Sequence, residues 1–272
     1  LRLVASGAHM GDKNIISSEC GAVNNRAYRM SWEKIMEYIQ LQYALGTNRI
    51  IFHGFSSTLG GNAWPGYTGF SGLGDSWGTR NPSWYNQDDD QVAEYLSNAQ
   101  TILQDGDPVI DVAVYNDHYG SYSPIWKDDT LENSGYSFDF ISENLLTLDS
   151  AYVKDSVLAP GNGSYKAMIF NQQTYIDVET ANKILSYENS GLPVIVIGNF
   201  PTTPSSYADY EAETAKLETI AEKIMNHSNT YVAENERDVV RALKAAGVKP
   251  DADPQADASQ GNGQNPGFKT DG

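Results

Sequence analysis

A single cysteine, Cys20, is all the sulfhydryl chemistry the chain carries. It excludes an internal disulfide and a cysteine-based zinc cluster, and it leaves the redox compartment open. Basic residues are also scarce, 18 Lys and Arg against 35 Asp and Glu, for a formal charge of -17. A chain this acidic is repelled by nucleic acid and by anionic membrane surfaces. No apolar run is long enough to cross a bilayer. No strand is followed by a glycine-rich phosphate fingerprint: Gly198-Asn199-Phe200-Pro201 is not GxGxxG. No serine or cysteine nucleophile elbow is present either. Aromatic residues, in contrast, are plentiful, with 17 Tyr, 8 Phe and 5 Trp in a chain of 272 residues that is 40% hydrophobic. That is enough apolar surface for a buried core and two folded units, and it argues against disorder over most of the length.

The opening stretch, Leu1 to Met10, resembles a vector-derived leader with a Gly-Ala-His-Met cloning junction, and is set aside from the fold. The chain is then organised around Ile15-Ile16-Ser17-Ser18-Glu19-Cys20-Gly21. A short apolar run closes on two hydroxyls, a carboxylate and a glycine, the pattern of a buried parallel strand whose tip presents Glu19. In barrels built of such strands, reactive groups sit at the strand C-terminal ends. The bland alternative is a strand-end carboxylate that caps the next helix or pairs with Arg26 or Arg29.

Ser31 reads as an N-cap, and Ile35, Met36, Ile39, Tyr43 and Ala44 form one face of an amphipathic helix ending at Gly46. A second strand follows, Asn48 to Phe52, closing on His53 and Gly54. Strand, helix and strand with short connections form a right-handed βαβ unit, which puts Glu19 and His53 at the same end of the sheet. Residues 56–85 form a long glycine-rich, aromatic segment, and a loop of that length inside a compact domain is usually functional. Its Trp64, Trp77 and Arg80 suit a sugar, whose flat C–H faces are rimmed by hydroxyls; equally, these rings could simply pack the loop down. A helix spans Asp88 to Gln104, and Asp88-Asp89-Asp90 reads most simply as its acidic first turn, with a calcium site as the less favoured alternative.

Asp105-Gly106-Asp107-Pro108 marks a domain boundary. Beyond it, strands are expected at 109–115, 167–170, 193–198 and 230–233. Helices are expected at 138–148, 177–190, 208–227 and 236–246. This alternation indicates a doubly wound parallel sheet, flavodoxin-like or amidotransferase-like. His118 and His227 read as surface histidines. Residues 249–272 are polar and without periodicity, the pattern of a flexible linker. The expected division is therefore 1–10 leader, 11–106 first unit, 107–248 α/β domain and 249–272 linker.

Several of these segments together resemble a known family. They are Ser17-Ser18-Glu19, Gly21-Ala22-Val23, Arg26-Ala27-Tyr28, Ile51-Phe52-His53-Gly54, Trp64-Pro65-Gly66-Tyr67, Asp111 to Asn116, Leu158-Ala159-Pro160 and Gly191 to Val194. In this order they resemble glycoside hydrolase family 106, the α-L-rhamnosidase-like enzymes. The resemblance implies an α/β chain comprising the last βα units of a (β/α)8 barrel followed by the amidotransferase-like domain. It further implies an inverting two-carboxylate hydrolysis of glycosidic bonds in plant or microbial polysaccharide. Glu19 would be the general base, and His53, Trp64, Trp77 and Arg80 would shape the sugar subsite. The second carboxylate would come from an earlier strand, on the parent polypeptide or another chain, so that this chain alone is expected to be inactive. The resemblance implies no cofactor held by this chain, Ca2+ in the complete enzyme, and a secreted or cell-surface location. Two other readings stay open: a non-catalytic carbohydrate-binding or assembly module, and, with less support, a flavin protein built on the doubly wound domain.

Overall fold

The paired strands that carry Glu19 and His53 lie in the first of two compact units, Leu1–Asp107 and Pro108–Gly272. The computed structural model describes residues 1–21, 23–24, 31–53, 73–74, 89–117 and 126–252.

The first unit contains α1 (Arg2–Met10), β1 (Ser17–Cys20), β2 (Val23–Asn24), α2 (Trp32–Ala44), β3 (Arg49–Phe52), β4 (Leu73–Gly74) and α3 (Asp89–Leu103). β1 and β3 are parallel, with Glu19 opposite Ile51 and Cys20 opposite Phe52. Side chains alternate across this pair, as strand geometry requires. On one face Cys20, Ile50 and Phe52 pack with Trp32, Ile35, Met36 and Ile39 of α2 and Val92 and Leu96 of α3. Trp32 meets Phe52 edge to face, with ring centroids 6.1 Å apart. On the other face Ser17, Glu19, Arg49 and Ile51 are exposed.

On the outer side of β3, two backbone groups are met by side-chain amides of α3 and the residue after it. The Ile50 amide donates to Gln100 Oε1 at 2.9 Å, and Gln104 Nε2 donates to the Asn48 carbonyl at 2.7 Å. Asn48 in turn accepts from the Ile16 amide and donates to the carbonyls of Asn14 and Leu103. Backbone groups at a sheet margin must find partners, and here the polar edge of α3 provides them. β2 and β4 pair antiparallel, Val23 opposite Gly74 and Asn24 opposite Leu73. They tie the loop after Glu19 to the long aromatic segment.

Residues 1–10, set aside above as a leader, have structure of their own. They form α1, which buries Ala5, Ser6 and Met10. The physical reason is a close approach at Gly46, whose φ is +95° and whose added Cβ would lie 2.5 Å from the Ala5 Cβ. Only glycine combines that backbone with that space. Gly46→Ala is therefore expected to destabilise the first unit by about 1–3 kcal/mol, the cost of forcing a side chain into this region, and to expose α1 to protease. Denaturant titration with limited proteolysis measures both.

The second unit contains β5 (Val112–Tyr115), α4 (Thr130–Asn133), β6 (Phe138–Ile141), β7 (Val153–Lys154), β8 (Val157–Leu158), β9 (Ala167–Asn171), α5 (Val178–Asn189), β10 (Val194–Ile197), α6 (Tyr210–Met225), β11 (Thr230–Ala233) and α7 (Val239–Ala245). Five of these strands form a sheet in the order β11-β10-β9-β5-β6, and every neighbouring pair is parallel. β5 and β10 are buried throughout, which is why they read as unbroken apolar runs. Residues 138–148 are not the helix expected from the sequence: β6 occupies the first four positions, and a short 3-10 turn spans Leu145–Thr147. The strand was masked by Asp139, a buried carboxylate that accepts from the Tyr165 hydroxyl at 2.8 Å.

Just before β5, beside the start of β6, Asp111 is fully buried. It accepts from the Ser137 amide and hydroxyl, from Lys166 Nζ at 2.7 Å and from the Asp251 amide. Lys166 also bridges to the Asp251 carboxylate. Burial works against the Lys166 ammonium, but the two carboxylates outweigh it and hold its pKa above the ordinary value.

Candidate active site

Glu19 is the penultimate residue of β1, and His53 directly follows β3. Glu19, Ile51 and His53 lie on the face turned away from the α2–α3 core, because residues two apart along a strand share a face. The His53 amide donates to the Cys20 carbonyl at 2.7 Å, which continues the parallel pairing one step past the strand. That step brings the side chains together, with Glu19 Oε1 2.8 Å from His53 Nδ1. The partners differ in exposure: the Glu19 side chain is 66% exposed and that of His53 is 17% exposed. The imidazole is thus set into the protein and holds a carboxylate that faces solvent. With Nδ1 carrying its proton, one carboxylate oxygen is fixed, and Oε2 is left to meet a water molecule.

Cys20, next in sequence, points the other way into the core, and burial raises its thiol pKa more than its contacts with Gln42 and Gly21 lower it. A buried thiol with a raised pKa is a poor nucleophile. Trp64, Trp77 and Arg80 lie outside the described residues, as do Arg26 and Arg29. Of the five residues expected at the site, the structure thus describes Glu19 and His53 and brings them into contact. The sequence reading overlooked Ser17, Arg49 and Ile51, which share the exposed face. The missed signal was the alternation Arg49-Ile51-His53 inside what reads as one apolar run.

In the second unit, polar groups beyond the strand C-terminal ends are engaged in binding loops. Glu143 Oε1 accepts from the Tyr115 hydroxyl, the Asp177 amide and the Ser205 hydroxyl. Glu236 accepts from Asn171 and from the Lys127 and Asp128 amides. An open cleft of about 540 Å³ is lined by Lys127, Asp128, Asn235, Glu236 and Arg237. Bonds from Thr130, and then the Arg237 guanidinium, hold the Asp128 carboxyl down at about 2. These carboxylates hold the architecture together. No three His, Cys, Asp or Glu residues among those described converge to ligate a metal ion. No described helix is long and apolar enough to cross a membrane.

A family model described as alpha-L-rhamnosidase, glycoside hydrolase family 106, matches residues 1–263. The match includes the α1 segment. Among solved structures, a rhamnosidase from Novosphingobium sp. PP1Y shares the fold with a TM-score of 0.67 at 19% sequence identity. The alignment covers 91% of this chain and 24% of that protein, so the chain spans about a quarter of its length. No curated protein sequence matches the chain.

Proposed function

The chain belongs to glycoside hydrolase family 106, the α-L-rhamnosidases, and from that membership we propose that it forms the C-terminal part of an inverting rhamnosidase-like catalytic unit. In this reading β1 and β3 are the last two strands of a (β/α)8 barrel, with α2 and α3 on its outside and the Glu19–His53 face turned to its interior. The second unit, with its strand order β11-β10-β9-β5-β6, is then the flavodoxin-like or amidotransferase-like domain that follows the barrel. The observation that carries the proposal is the Glu19–His53 contact of 2.8 Å at the ends of two paired parallel strands.

In the proposed reaction Glu19 is the general base. His53 orients it through Oε1, and Oε2 takes a proton from the water that attacks the anomeric carbon. The bond to the leaving oxygen breaks as a second carboxyl group protonates that oxygen. An inverting pair needs its carboxyl groups about 6.5–9.5 Å apart, with room for the water. No second carboxylate stands opposite Glu19 on the described strands. The acid therefore comes from strands supplied by the parent polypeptide or another chain, and this segment alone does not turn over. Trp64, Trp77 and Arg80 are proposed to line the sugar subsite. The family implies calcium in the complete enzyme; among the described residues of this chain no three His, Cys, Asp or Glu gather to ligate it. The substrate is a rhamnose-bearing plant or microbial polysaccharide, and the location is outside the cell or at its surface; both rest on the family alone.

Release of L-rhamnose from an aryl α-L-rhamnoside tests the proposal. The complete enzyme is expected to release it with inversion, read by NMR of the first-formed anomer, and this segment is expected to release none. Retention of configuration, or turnover by the segment alone, would overturn the assignment. The alternative, a module that holds sugar without cleaving it, is favoured by the lone carboxylate on the described face; it predicts binding by the segment with no hydrolysis in any context.

A further inference from the structure

At the end of α5 stands a carboxyl group that the proposed chemistry does not use. Glu188 is fully buried. Its Oε1 lies 2.5 Å from Thr230 Oγ1, at the start of β11. The same hydroxyl oxygen lies 2.5 Å from the Ile224 carbonyl, near the end of α6. Glu188 Oε2 is buried with no hydrogen-bond partner.

Proton counting decides the state of this group. A threonine hydroxyl has one hydrogen to donate and lone pairs to accept with. The carbonyl of Ile224 has no hydrogen, so the bond between it and Thr230 uses the hydroxyl proton. The short contact to Glu188 Oε1 then needs a proton from the carboxyl side. With that proton the chain runs from the Glu188 O–H to Thr230 Oγ1 and from the Thr230 O–H to the Ile224 carbonyl, and every short contact is a hydrogen bond. Without it, two acceptors compete for one hydrogen, and a negative charge sits in a dry site with one oxygen unsolvated, which is costly. We propose that Glu188 is a neutral carboxylic acid in the folded protein, and that its proton latches β11 to the ends of α5 and α6.

Burial is the main influence and pushes the Glu188 carboxyl up to about 7; the contact with the Thr230 hydroxyl acts the other way and is outweighed. No neighbouring charge is among the causes of that shift. The ionisable group in the adjoining turn is His227, whose ring contacts Asn189 and accepts from the Asn229 amide. Asn229 joins the latch by donating to the Glu188 backbone carbonyl at 2.9 Å.

The sign of the pH effect follows. Between the ordinary glutamate range and about 7, the unfolded chain has released this proton and the folded chain has kept it. Stability then falls as pH rises through that window and levels off above it. Glu188→Gln places an amide N–H where the acid O–H stood and carries no proton to lose. Urea denaturation of the full chain at pH 5 and pH 8 reads the difference. Relative to the glutamine variant, the wild-type folding equilibrium constant is expected to drop on the order of a hundredfold over that interval. Hydrogen exchange at the β11 amides should accelerate at pH 8 in wild type beyond the rise seen in the variant. Parallel curves for the two proteins would overturn the proposal. Should the variant fail to fold, a ¹³C NMR titration of the Glu188 carboxyl in wild type decides. A midpoint near neutrality supports the latch, and one in the ordinary glutamate range sinks it.

Discussion

Glu19→Gln in the complete enzyme is expected to lower kcat by about 10³-fold or more while leaving substrate affinity within a few-fold, the upper part of the range for loss of a positioned general base. The amide is nearly isosteric and can still face His53, so the strand pair and the sugar contacts remain. What disappears is the carboxylate oxygen, Oε2, proposed to take the proton from water. His53→Asn separates positioning from proton transfer. It leaves the base in place but unfixed, and its kcat should fall by no more than about 10²-fold, the scale of a misplacement of about 1 Å. Steady-state kinetics with an aryl rhamnoside, paired with calorimetric titration of the inactive variant, measures both. Turnover by Glu19→Gln at the wild-type rate would remove the carboxylate from the role. A His53→Asn defect as deep as that of Glu19→Gln would mean that the imidazole does chemistry itself.

Lys166→Met should destabilise the second unit by about 3 kcal/mol, the lower end of the cost of breaking a buried ion pair. Asp111 is fully buried, and without the Lys166 ammonium its charge is balanced only by Ser137 and the Asp251 amide. For a unit of this size the loss corresponds to a drop of about 6–12 °C in Tm, read by calorimetry on the full chain. The double variant Asp111→Asn/Lys166→Met should recover part of it, because the stranded charge is then gone. The pH dependence has a definite sign. The Lys166 pKa is raised in the folded state, so its contribution is whole below the ordinary lysine range and is lost as pH climbs through the folded value. Wild type and variant should therefore converge in stability only at strongly alkaline pH.

The alternation of strands and helices after Pro108 was readable because parallel strands buried on both faces leave continuous apolar runs such as Val194 to Ile197. The parallel β1–β3 pair was readable for a related reason: the apolar positions of α2 recur at helical spacing between two short strands. Three features were not. β6 carries the buried Asp139, and its partner, the Tyr165 hydroxyl, is distant in sequence. α1 was hidden behind a Gly-Ala-His-Met stretch that resembles a cloning junction, and its contact with Gly46 joins residues about forty apart in sequence. The bonding of Gln100 and Gln104 to the backbone at β3 has no local pattern, since a glutamine reaching a strand some fifty residues away resembles any surface glutamine. At the site, the shared strand end of Glu19 and His53 follows from topology, but their contact depends on side-chain alternation that a run of isoleucines conceals.

The β2–β4 pairing joins the backbone just after Glu19 to a point inside the long aromatic segment. Asn24 stands opposite Leu73 and Val23 opposite Gly74, only a few residues along the sequence from Glu19 on one side and Trp77 on the other. On the proposed reading, a substitution at Leu73 or Gly74 would shift the backbone that aims the base without touching Glu19.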